Sequence, residues 1–537
     1  MQATPVDAVA AVPPTPMWWQ RGVVYQIYPR SFADSNGDGL GDLRGIIGKV
    51  DYLAWLGIEA VWMSPMYPTP DADLGYDISD YVDVDHRLGT LADLDKLVAA
   101  LHERDIRLIL DLVPNHTSDQ HPWFAESRSG PESPRHDWYV WRDGRPDGSP
   151  PNNWESYFGG PAWTYLEPPG KWYLHSFHSG QPDLNWENPD VREAIADVMR
   201  FWLARGVDGF RVDVLWLLGK DPKLRDNPPN PDWREGDPPW RRLLRARSED
   251  GPQAHEHVRF LRSVLDEFDD RVMVGEVVLP PERAVAFHGE RLDEAHLPHN
   301  FSLPELQEWT AESIGDAVEA YESVLPPGAW PNWLLGDHDL PRVASRVGPD
   351  RVRLAGLLLL TLRGTPTWYY GDELGLPNAV FPPGTVASID PQAATSPERD
   401  RLVVRTPMQW EPGPAAGFST GEPWLPPASD DPAMTVARQR EDPDSTLNFV
   451  RDLLRLRAET PALVAGTFRR LSAPPGVLSY ERAHPDGTVH VHLNWGDAPA
   501  RIEPAGRVIR PTHRRPDAGG TTLTLGPGEG VIVAVGA

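Results

Sequence analysis

The chain has 537 residues, a length that predicts several domains or one large barrel with appendages. Its formal net charge is −27, from 51 Lys and Arg against 78 Asp and Glu, and this disfavours binding to nucleic acid or to an anionic membrane surface. Cysteine is absent, which excludes disulfides, thiolate catalysis and cysteine-ligated zinc. The apolar runs are too short to span a bilayer, so we expect no membrane partner.

The first 17 residues are mostly Ala, Val, Pro and Thr. They are not typical of a signal peptide, because no Lys or Arg precedes Arg21 and no long apolar core is present. We predict that residues 1–17 form a disordered arm and that the protein is cytoplasmic.

From Trp18 onward, β-branched and aromatic runs alternate with segments of helical periodicity. The predicted strands cover residues 23–29, 58–64, 106–114, 209–214, 272–277, 295–301, 332–337 and 365–370. The predicted helices cover residues 43–56, 91–104, 189–205, 257–268, 282–288, 314–324, 352–361 and 447–457. Thr90 is the expected N-cap of the second helix. Eight alternating units predict an α/β fold of the (β/α)8 TIM-barrel type, because an open doubly wound sheet would carry a Gly-rich phosphate loop after its first strand.

The alternation is interrupted twice and then ends. Residues 117–185 are rich in Trp, Pro, Gly and Asn, which indicates an inserted B domain after strand 3. Residues 219–255 are rich in Pro and Arg and form a second predicted insert. The barrel is expected to cover residues 18–464. Residues 465–537, with short alternating runs between Pro, Gly and Asp turns, predict a C-terminal antiparallel β-sandwich.

Three predicted strands end in acidic residues, Asp213, Glu276 and Asp339. The C-terminal ends of barrel strands meet at one rim, so we expect these carboxylates to lie together. Crowded carboxylates raise each other's pKa, and one can stay protonated at neutral pH, while Arg211, on the same side of its strand as Asp213, can keep that residue ionised. An ionised nucleophile beside a protonated acid, about 5–5.5 Å apart, is what retaining glycoside hydrolysis requires.

Several ordered segments resemble the signature segments of the α-amylase superfamily of glycoside hydrolases. They are Asp111-Leu-Val-Pro-Asn-His116, Gly209-Phe-Arg-Val-Asp213, Gly275-Glu276 and His338-Asp339. Gln181-Pro-Asp-Leu-Asn185 and Arg405-Thr-Pro-Met-Gln-Trp410 are similar to segments of its oligo-1,6-glucosidase/α-glucosidase branch, and the likeness is closest to bacterial α-glucosidases. The resemblance extends from about Trp18 to the C-terminus.

The resemblance implies an exo-acting retaining α-glucosidase that acts on small oligosaccharides or disaccharides. Asp213 would be the nucleophile, Glu276 the general acid/base and Asp339 the stabiliser of the oxocarbenium-like transition state. The implied substrate-binding residues are Asp77, Tyr76, His116, Phe158, Arg211, His338 and Arg405. Among them, Asp77 and Arg405 would form a pair that closes the pocket behind one glucose, Tyr76 would stack under the sugar, and Phe158 would line the entrance.

An acidic loop near the N-terminus predicts a structural metal site. Asp34, Asn36, Asp38 and Asp42 offer side-chain oxygens at alternating positions, and Leu40 offers its carbonyl oxygen. The family resemblance independently implies a hard cation here, either Ca²⁺ or Mg²⁺. A turn rich in Asx and Gly without metal is the alternative. No organic cofactor is expected.

Val214 follows the proposed nucleophile, and in this branch Val at that position tends to accompany tolerance of α-1,6 linkages, so we expect activity on isomaltose-type as well as maltose-type sugars. Asp337 and Leu340 depart from the family's usual Asn-His-Asp-Gln; they either alter the site or point away from the sugar.

The sequence leaves open a transglucosidase, or an isomerase of the sucrose or trehalose type, with the same intermediate. An endo-acting amylase and a non-catalytic ancillary protein of a transporter are less favoured. The oligomeric state is not predicted.

Overall fold

The computed structural model describes residues 16–237, 241–382, 385, 389, 401–513 and 522–536. Nearly all of the predicted N-terminal arm, residues 1–15, therefore lies outside the described residues. Among the helices that are described, none is both long and apolar enough to cross a membrane.

Eight parallel strands close into a barrel. The strands of the first 370 residues are β1 (Val24–Ile27), β2 (Ala60–Met63), β3 (Arg107–Leu112), β4 (Trp141–Arg142), β5 (Trp163–Leu166), β6 (Lys171–Leu174), β7 (Gly209–Val212), β8 (Val272–Gly275), β9 (Leu297–Asn300), β10 (Asn332–Leu334) and β11 (Thr365–Tyr369). The barrel order is β1-β11-β10-β9-β8-β7-β3-β2. The predicted (β/α)8 barrel is confirmed, with strands shorter than predicted because the apolar runs continue into the loops.

Strand alternation separates the inside of the barrel from its helical coat. Val24, Trp62, Ile109 and Val274 pack together in a cluster inside the barrel. Their neighbours along the strands, such as Tyr25, belong to the larger cluster between strands and helices. Because both faces are buried, each strand reads as a nearly continuous apolar run.

Helices surround the barrel. They are α1 (Trp18–Arg21), α2 (Pro29–Phe32), α3 (Leu43–Ile47), α4 (Val50–Leu56), α5 (Leu91–His102), α6 (Pro122–Ser127), α7 (Pro189–Ala204), α8 (Gln253–Leu265), α9 (Pro281–Ala284), α10 (Ala311–Val324), α11 (Val343–Val347), α12 (Val352–Thr361), α13 (Val436–Glu441), α14 (Thr446–Glu459) and α15 (Pro461–Ala465). Thr90 caps α5 as predicted, accepting a hydrogen bond from Asp93 N.

Two predicted helices differ from the structure. The segment 43–56 forms two helices, α3 and α4, broken at Gly48 and Lys49; glycine is a poor helix former, and Lys49 lies over the ring of Trp410. The segment 282–288 is the short α9 followed by a 3-10 turn, Val285–His288.

The first insert contains a three-stranded antiparallel sheet in the order β4-β6-β5. Its small core includes Trp154 and Trp163, and Trp163 Nε1 donates to Asn152 Oδ1 at 2.7 Å. The second insert lies against it, because Trp154 Nε1 donates to the carbonyl of Arg225 at 2.9 Å. Tryptophan in this insert therefore packs a core rather than offering a surface for sugars.

The C-terminal segment is antiparallel β structure, as predicted. Its strands are β12 (Thr467–Leu471), β13 (Val477–His484), β14 (Gly487–Asn494), β15 (Ala500–Ile502), β16 (Gly506–Pro511), β17 (Leu523–Leu525) and β18 (Gly530–Val535). Five form one sheet, β12-β13-β14-β18-β16, and β15 pairs with β17. Tyr480 joins this sheet to the barrel through a 2.5 Å hydrogen bond between its hydroxyl and Thr361 Oγ1. The predicted domain boundaries stay predictions.

Candidate active site

Strand alternation carries polar residues to the C-terminal rim of the barrel. Ile109 packs inside the barrel, so Asp111, two residues further along β3, faces the same way. Val274 on β8 also packs inside the barrel, so Glu276, two residues further along the chain, faces inward just beyond the end of the strand. On β7, Phe210 and Val212 face the outer core, which leaves Arg211 inside.

Arg211 binds three carboxylates at once. Its Nη1 donates to Asp111 Oδ1 at 2.9 Å and to Asp213 Oδ1 at 2.6 Å, and its Nη2 donates to Glu276 Oε2 at 2.6 Å. The guanidinium is 2 % exposed and lies over the ring of Trp62, 4.9 Å from the ring centroid. Asp213 and Glu276 therefore lie together as expected, with Arg211 beside Asp213. Asp339, the third carboxylate expected in this group, makes its contacts with Arg405, Arg401 and His338 instead.

One positive charge among three carboxylates leaves an excess of negative charge. Burial, and next the charge of Glu276, raise the pKa of Asp213 well above its usual value. Burial also raises the pKa of Asp111 to about 6, although Arg211 opposes this. Asp111 and Asp213 therefore hold a proton near neutral pH.

Asp339 has its own set of charged partners at the rim. Its Oδ1 lies 2.5 Å from Arg405 Nη2 and 3.5 Å from Arg401 Nη1, and its Oδ2 lies 3.3 Å from His338 Nε2. The side chain is 40 % exposed. Partial burial raises its pKa, but the charges of Arg405 and Arg401 act against this, and the pKa of Asp339 lies below its usual range. Asp339 is therefore ionised near neutral pH.

Tyr76 and His338 form an aromatic floor. Their rings are stacked, with centroids 5.3 Å apart and planes 5° apart. Tyr76 donates to Asp111 Oδ2 at 3.0 Å, and His338 Nδ1 lies 2.8 Å from Gln26 Nε2. Burial lowers the pKa of His338 well below its usual value, so this imidazole is neutral.

The expected pair of Asp77 and Arg405 does not form. Asp77 is buried, and its oxygens accept hydrogen bonds from Thr69 Oγ1 at 2.8 Å, Asp73 N at 2.9 Å and Ala72 N at 2.8 Å. These three donors close the turn before Tyr76, while Arg405 binds Asp339. The prediction for the pair is therefore wrong, because backbone N–H groups of the same turn, rather than Arg405, bind the carboxylate of Asp77.

A neighbouring ion pair stands where that pair was expected. Asp73 Oδ1 lies 2.6 Å from Arg401 Nη2, and Asp73 Oδ2 accepts from Gln181 Nε2 at 2.9 Å. Gln181 Nε2 also lies 3.1 Å from His116 Nε2, and burial lowers the pKa of His116. Sequence reasoning missed Asp73 and Arg401, because several acidic residues flank Tyr76 and nothing local distinguishes them.

Phe158 lies near this ion pair. Its ring is half-buried, 5.7 Å from the ring of Phe177 and 5.4 Å from the guanidinium carbon of Arg401. It therefore contacts a residue that also approaches Asp339, which is consistent with the expected place at the entrance.

Asp337 turns towards the backbone. Its Oδ1 accepts from Asp339 N at 2.8 Å, and the residue is 4 % exposed. Burial, and then the charge of Asp339, raise the pKa of Asp337 to about 7. The carboxyl of Asp337, which replaces the Asn usual in the family, thus stabilises the turn that carries Asp339. Leu340 is half-buried, and nothing in the structure explains its departure from the family pattern.

The predicted metal loop folds as a tight turn. Asp34 Oδ1 accepts from Asn36 N at 2.9 Å, and Asp34 Oδ2 accepts from Gly39 N at 2.8 Å. Asp42 Oδ1 accepts from Gly45 N at 2.7 Å. Gly39 has φ +91°, and a Cβ there would lie 2.0 Å from the carbonyl oxygen of Glu422, so only glycine fits.

The donor set of this loop is hard oxygen throughout, which fits Ca²⁺ or Mg²⁺. Asn36 and Asp38 are exposed, and Asn36 Nδ2 donates to Asp38 Oδ2 at 3.1 Å. In the part of the chain that is described, no group of three or more His, Cys, Asp or Glu side chains is arranged to hold a metal. The oxygens of Asp34 and Asp42 instead bind backbone N–H groups, so the metal stays a prediction.

Comparison with known proteins identifies the catalytic region. The model of the alpha-amylase catalytic domain matches residues 26–466. An oligo-1,6-glucosidase of Parageobacillus thermoglucosidasius is 39 % identical over 521 residues, which cover 90 % of this chain and 91 % of that protein. A probable alpha-glucosidase of Rhizobium meliloti is 40 % identical over 503 residues, with the same coverage of the two chains, 90 % and 91 %.

Solved structures extend the likeness to nearly the whole chain. The alpha-glucosyl transfer enzyme XgtA superposes with a TM-score of 0.91 at 39 % identity, covering 97 % of this chain and 100 % of the other. The trehalulose synthase MutB of Pseudomonas mesoacidophila has a TM-score of 0.88 at 33 % identity, with coverage of 97 % and 100 %. The fold is therefore shared with an alpha-glucosyl transfer enzyme and a trehalulose synthase over nearly the whole chain.

Proposed function

Since the chain belongs to the alpha-amylase family of glycoside hydrolases, we propose that it is an exo-acting retaining α-glucosidase that releases glucose from the non-reducing end of short α-glucosides. The observation that carries the proposal is the fork of Arg211, with Asp213 on one terminal nitrogen and Glu276 on the other. Two carboxylates that share one guanidinium fit the retaining separation of about 5–5.5 Å better than the inverting separation of about 6.5–9.5 Å.

The reaction is a double displacement. An oxygen of Asp213 attacks the anomeric carbon, the bond from that carbon to the glycosidic oxygen breaks, and Glu276 gives its proton to the departing oxygen. Glu276, now ionised, then takes a proton from water. The water oxygen attacks the same carbon, and the bond to Asp213 breaks, which releases α-glucose and restores both carboxyl groups. The net result is the addition of one water across one glycosidic bond.

Asp213 and Glu276 need opposite protonation states when substrate is bound. The crowded cluster retains a proton near neutral pH, because burial and like charge raise the pKa of Asp213. Arg211 donates to both residues and can stabilise whichever is ionised. In the productive complex, the proton belongs on Glu276 and the charge on Asp213.

Asp339 supplies a fixed negative charge opposite this pair. Its low pKa, maintained by Arg405 and Arg401, keeps it ionised beside a sugar that becomes positively charged in the transition state. Tyr76 offers a flat face, and Asp73 with Arg401 would close the pocket beyond one glucose. A closed pocket favours exo action over endo action.

The acceptor that attacks the intermediate decides between hydrolysis and transfer. The same carboxylates serve both reactions, and two proteins of similar fold are an alpha-glucosyl transfer enzyme and a trehalulose synthase. Transglucosylation, or isomerisation of a sucrose-like disaccharide, is therefore the second candidate. Products formed at high disaccharide concentration distinguish it from hydrolysis.

A structural cation would bind the loop of residues 34–42. Asp34, Asn36, Asp38 and Asp42 would supply side-chain oxygens and Leu40 its carbonyl oxygen. Bound there, the ion would stabilise the loop and take no part in the chemistry.

The proposal is tested by assaying maltose, isomaltose, trehalose, sucrose and p-nitrophenyl α-glucoside side by side. We expect glucose from maltose and from isomaltose, and loss of all activity in Asp213→Ala. Absence of isomaltose hydrolysis beside good maltose hydrolysis would remove the expected α-1,6 tolerance. Internal cleavage of long α-glucans without release of terminal glucose would indicate an endo-acting enzyme instead.

A further inference from the structure

The backbone turns sharply directly after the proposed nucleophile. Val214 has φ 41° and ψ 50°, in the left-handed region. A β-branched residue is a genuine outlier there, because its side chain crowds the backbone. Such outliers persist only where the surrounding structure imposes them, and they concentrate at functional sites.

The contacts on either side show where the turn begins. Asp213 N donates to the carbonyl of Leu112 at 2.8 Å, and Glu276 N donates to the carbonyl of Val212 at 2.9 Å. Both bonds continue the ladders that join β7 to β3 and to β8. The regular pairing therefore extends to Asp213, and the chain leaves it at Val214.

The turn directs a backbone donor at the proposed acid/base. Val214 N lies 3.1 Å from Glu276 Oε2, and Leu215 N donates to the backbone carbonyl of Glu276 at 3.1 Å. Two successive peptide groups thus bind one residue, once through its side chain and once through its backbone. This double attachment fixes Glu276 relative to the strand end that carries Asp213.

The donors are distributed unequally between the two oxygens of Glu276. Oε2 accepts from Arg211 Nη2 at 2.6 Å and from Val214 N at 3.1 Å. The side chain is 16 % exposed. An oxygen that already accepts two hydrogen bonds is a poor place for a proton, so the proton belongs on Oε1.

We infer that the left-handed peptide at Val214 is a positioning element for the general acid/base: its N–H, together with Arg211, engages Glu276 Oε2 and leaves Oε1 to carry the proton to the leaving group. The inference rests on the proposed role of Glu276. It assigns the function to the backbone of Val214, apart from any effect of its side chain on linkage preference.

The test replaces the peptide N–H with an ester oxygen. Incorporation of α-hydroxyisovalerate at position 214 keeps the side chain and removes only the donor to Glu276. The matched control is the corresponding ester at Leu217, whose N–H donates to the carbonyl of Val214 at 2.9 Å in the same turn. Far-ultraviolet circular dichroism and thermal melts establish that each ester protein is folded.

Two readouts separate positioning of the acid from general damage. A hydrogen bond to the ionised form favours ionisation, so its loss should move the basic limb of the kcat/KM profile upward by about 1 pH unit. Activity on maltose should fall by at least about tenfold. Activity on α-glucosyl fluoride, whose leaving group needs little protonation, should fall by less than about threefold, and the Leu217 ester should match the wild type in both respects.

Equal losses on both substrates with an unmoved pH profile would overturn the inference. The variant Val214→Gly gives a second test, because glycine adopts the left-handed conformation freely and retains the N–H. Its basic limb should stay within about 0.3 pH unit of the wild type, and a shift as large as that of the ester would also overturn the inference. If Glu276→Gln loses activity on maltose and on α-glucosyl fluoride equally, Glu276 is not the general acid and the proposed function itself fails. If Glu276→Gln loses much more activity on maltose than on α-glucosyl fluoride, the proposed function stands, and any failure concerns only the role of Val214.

Discussion

Replacement of Arg211 by methionine tests the charge arrangement of the site. Arg211 is 2 % exposed and lies 2.9, 2.6 and 2.6 Å from oxygens of Asp111, Asp213 and Glu276. Methionine has similar bulk, so the main effect is the loss of the positive charge. Removing one partner of a buried ion pair costs about 3–5 kcal/mol, because the remaining charge is left uncompensated.

The cost should depend on pH. A carboxyl whose pKa is higher in the folded than in the unfolded protein stabilises the fold below the unfolded pKa and loses that contribution as pH rises through the folded pKa. The pKa of Asp111 is already about 6, and that of Asp213 is well above its usual value. Loss of Arg211 raises both further. The destabilisation should therefore be small near pH 4, where Asp111 and Asp213 are protonated, and should increase as the pH rises above about 6, the pKa of Asp111 in the wild type.

Urea denaturation of wild type and Arg211→Met at pH 4.5 and pH 7.5 measures this difference, and kcat/KM should fall by at least about 10³-fold. Arg457→Met is the matched control. Arg457 is 1 % exposed, but it donates to the backbone carbonyls of Leu360, Leu463 and Gly364. The control should be destabilised nearly equally at both pH values and retain kcat/KM within about threefold. A pH-independent loss of stability in Arg211→Met would refute the reasoning.

Three further outcomes are expected. Asp337→Asn removes a buried group with a pKa of about 7, so urea denaturation should show a gain of about 1–3 kcal/mol at pH 8, no gain below pH 4 and kcat/KM within about threefold at pH 6; a loss of stability at pH 8 would contradict this. Asp73→Ala should lower kcat/KM for maltose by at least about 100-fold with little change in Tm. Asp77→Ala should mainly lower Tm, because its carboxylate binds the local backbone. The opposite result for the two variants would show that Asp77, and not Asp73, binds the substrate. Chelation should lower the Tm of the wild type by several degrees and leave the Tm of Asp38→Ala unchanged. An equal Tm of the wild type with and without chelator would contradict the proposed cation site.

Much of the barrel could be predicted from the sequence, because strands buried on both faces read as continuous apolar runs. Asp213 and Glu276 stand at the ends of two such runs, so topology alone brings them to one rim. Arg211 could be placed beside Asp213, because strand alternation puts residues two apart on one side.

Loop geometry could not be predicted in the same way. Asp77 and Asp73 are both acidic and lie on either side of a turn, and the choice between them depends on which carboxylate the backbone N–H groups occupy. Arg401 and Arg405 are four residues apart, and their different partners follow from packing among segments distant in sequence. The left-handed turn at Val214 could not be predicted either, because a β-branched residue gives no local signal for that conformation.

The most direct test of the account is to trap the covalent intermediate on Asp213. Incubation with 5-fluoro-α-glucosyl fluoride, followed by proteolysis and mass spectrometry, should place one fluoroglucosyl group on Asp213, and proton NMR of the first product from maltose should show α-glucose. A label on another carboxylate, or β-glucose as the first product, would contradict the account.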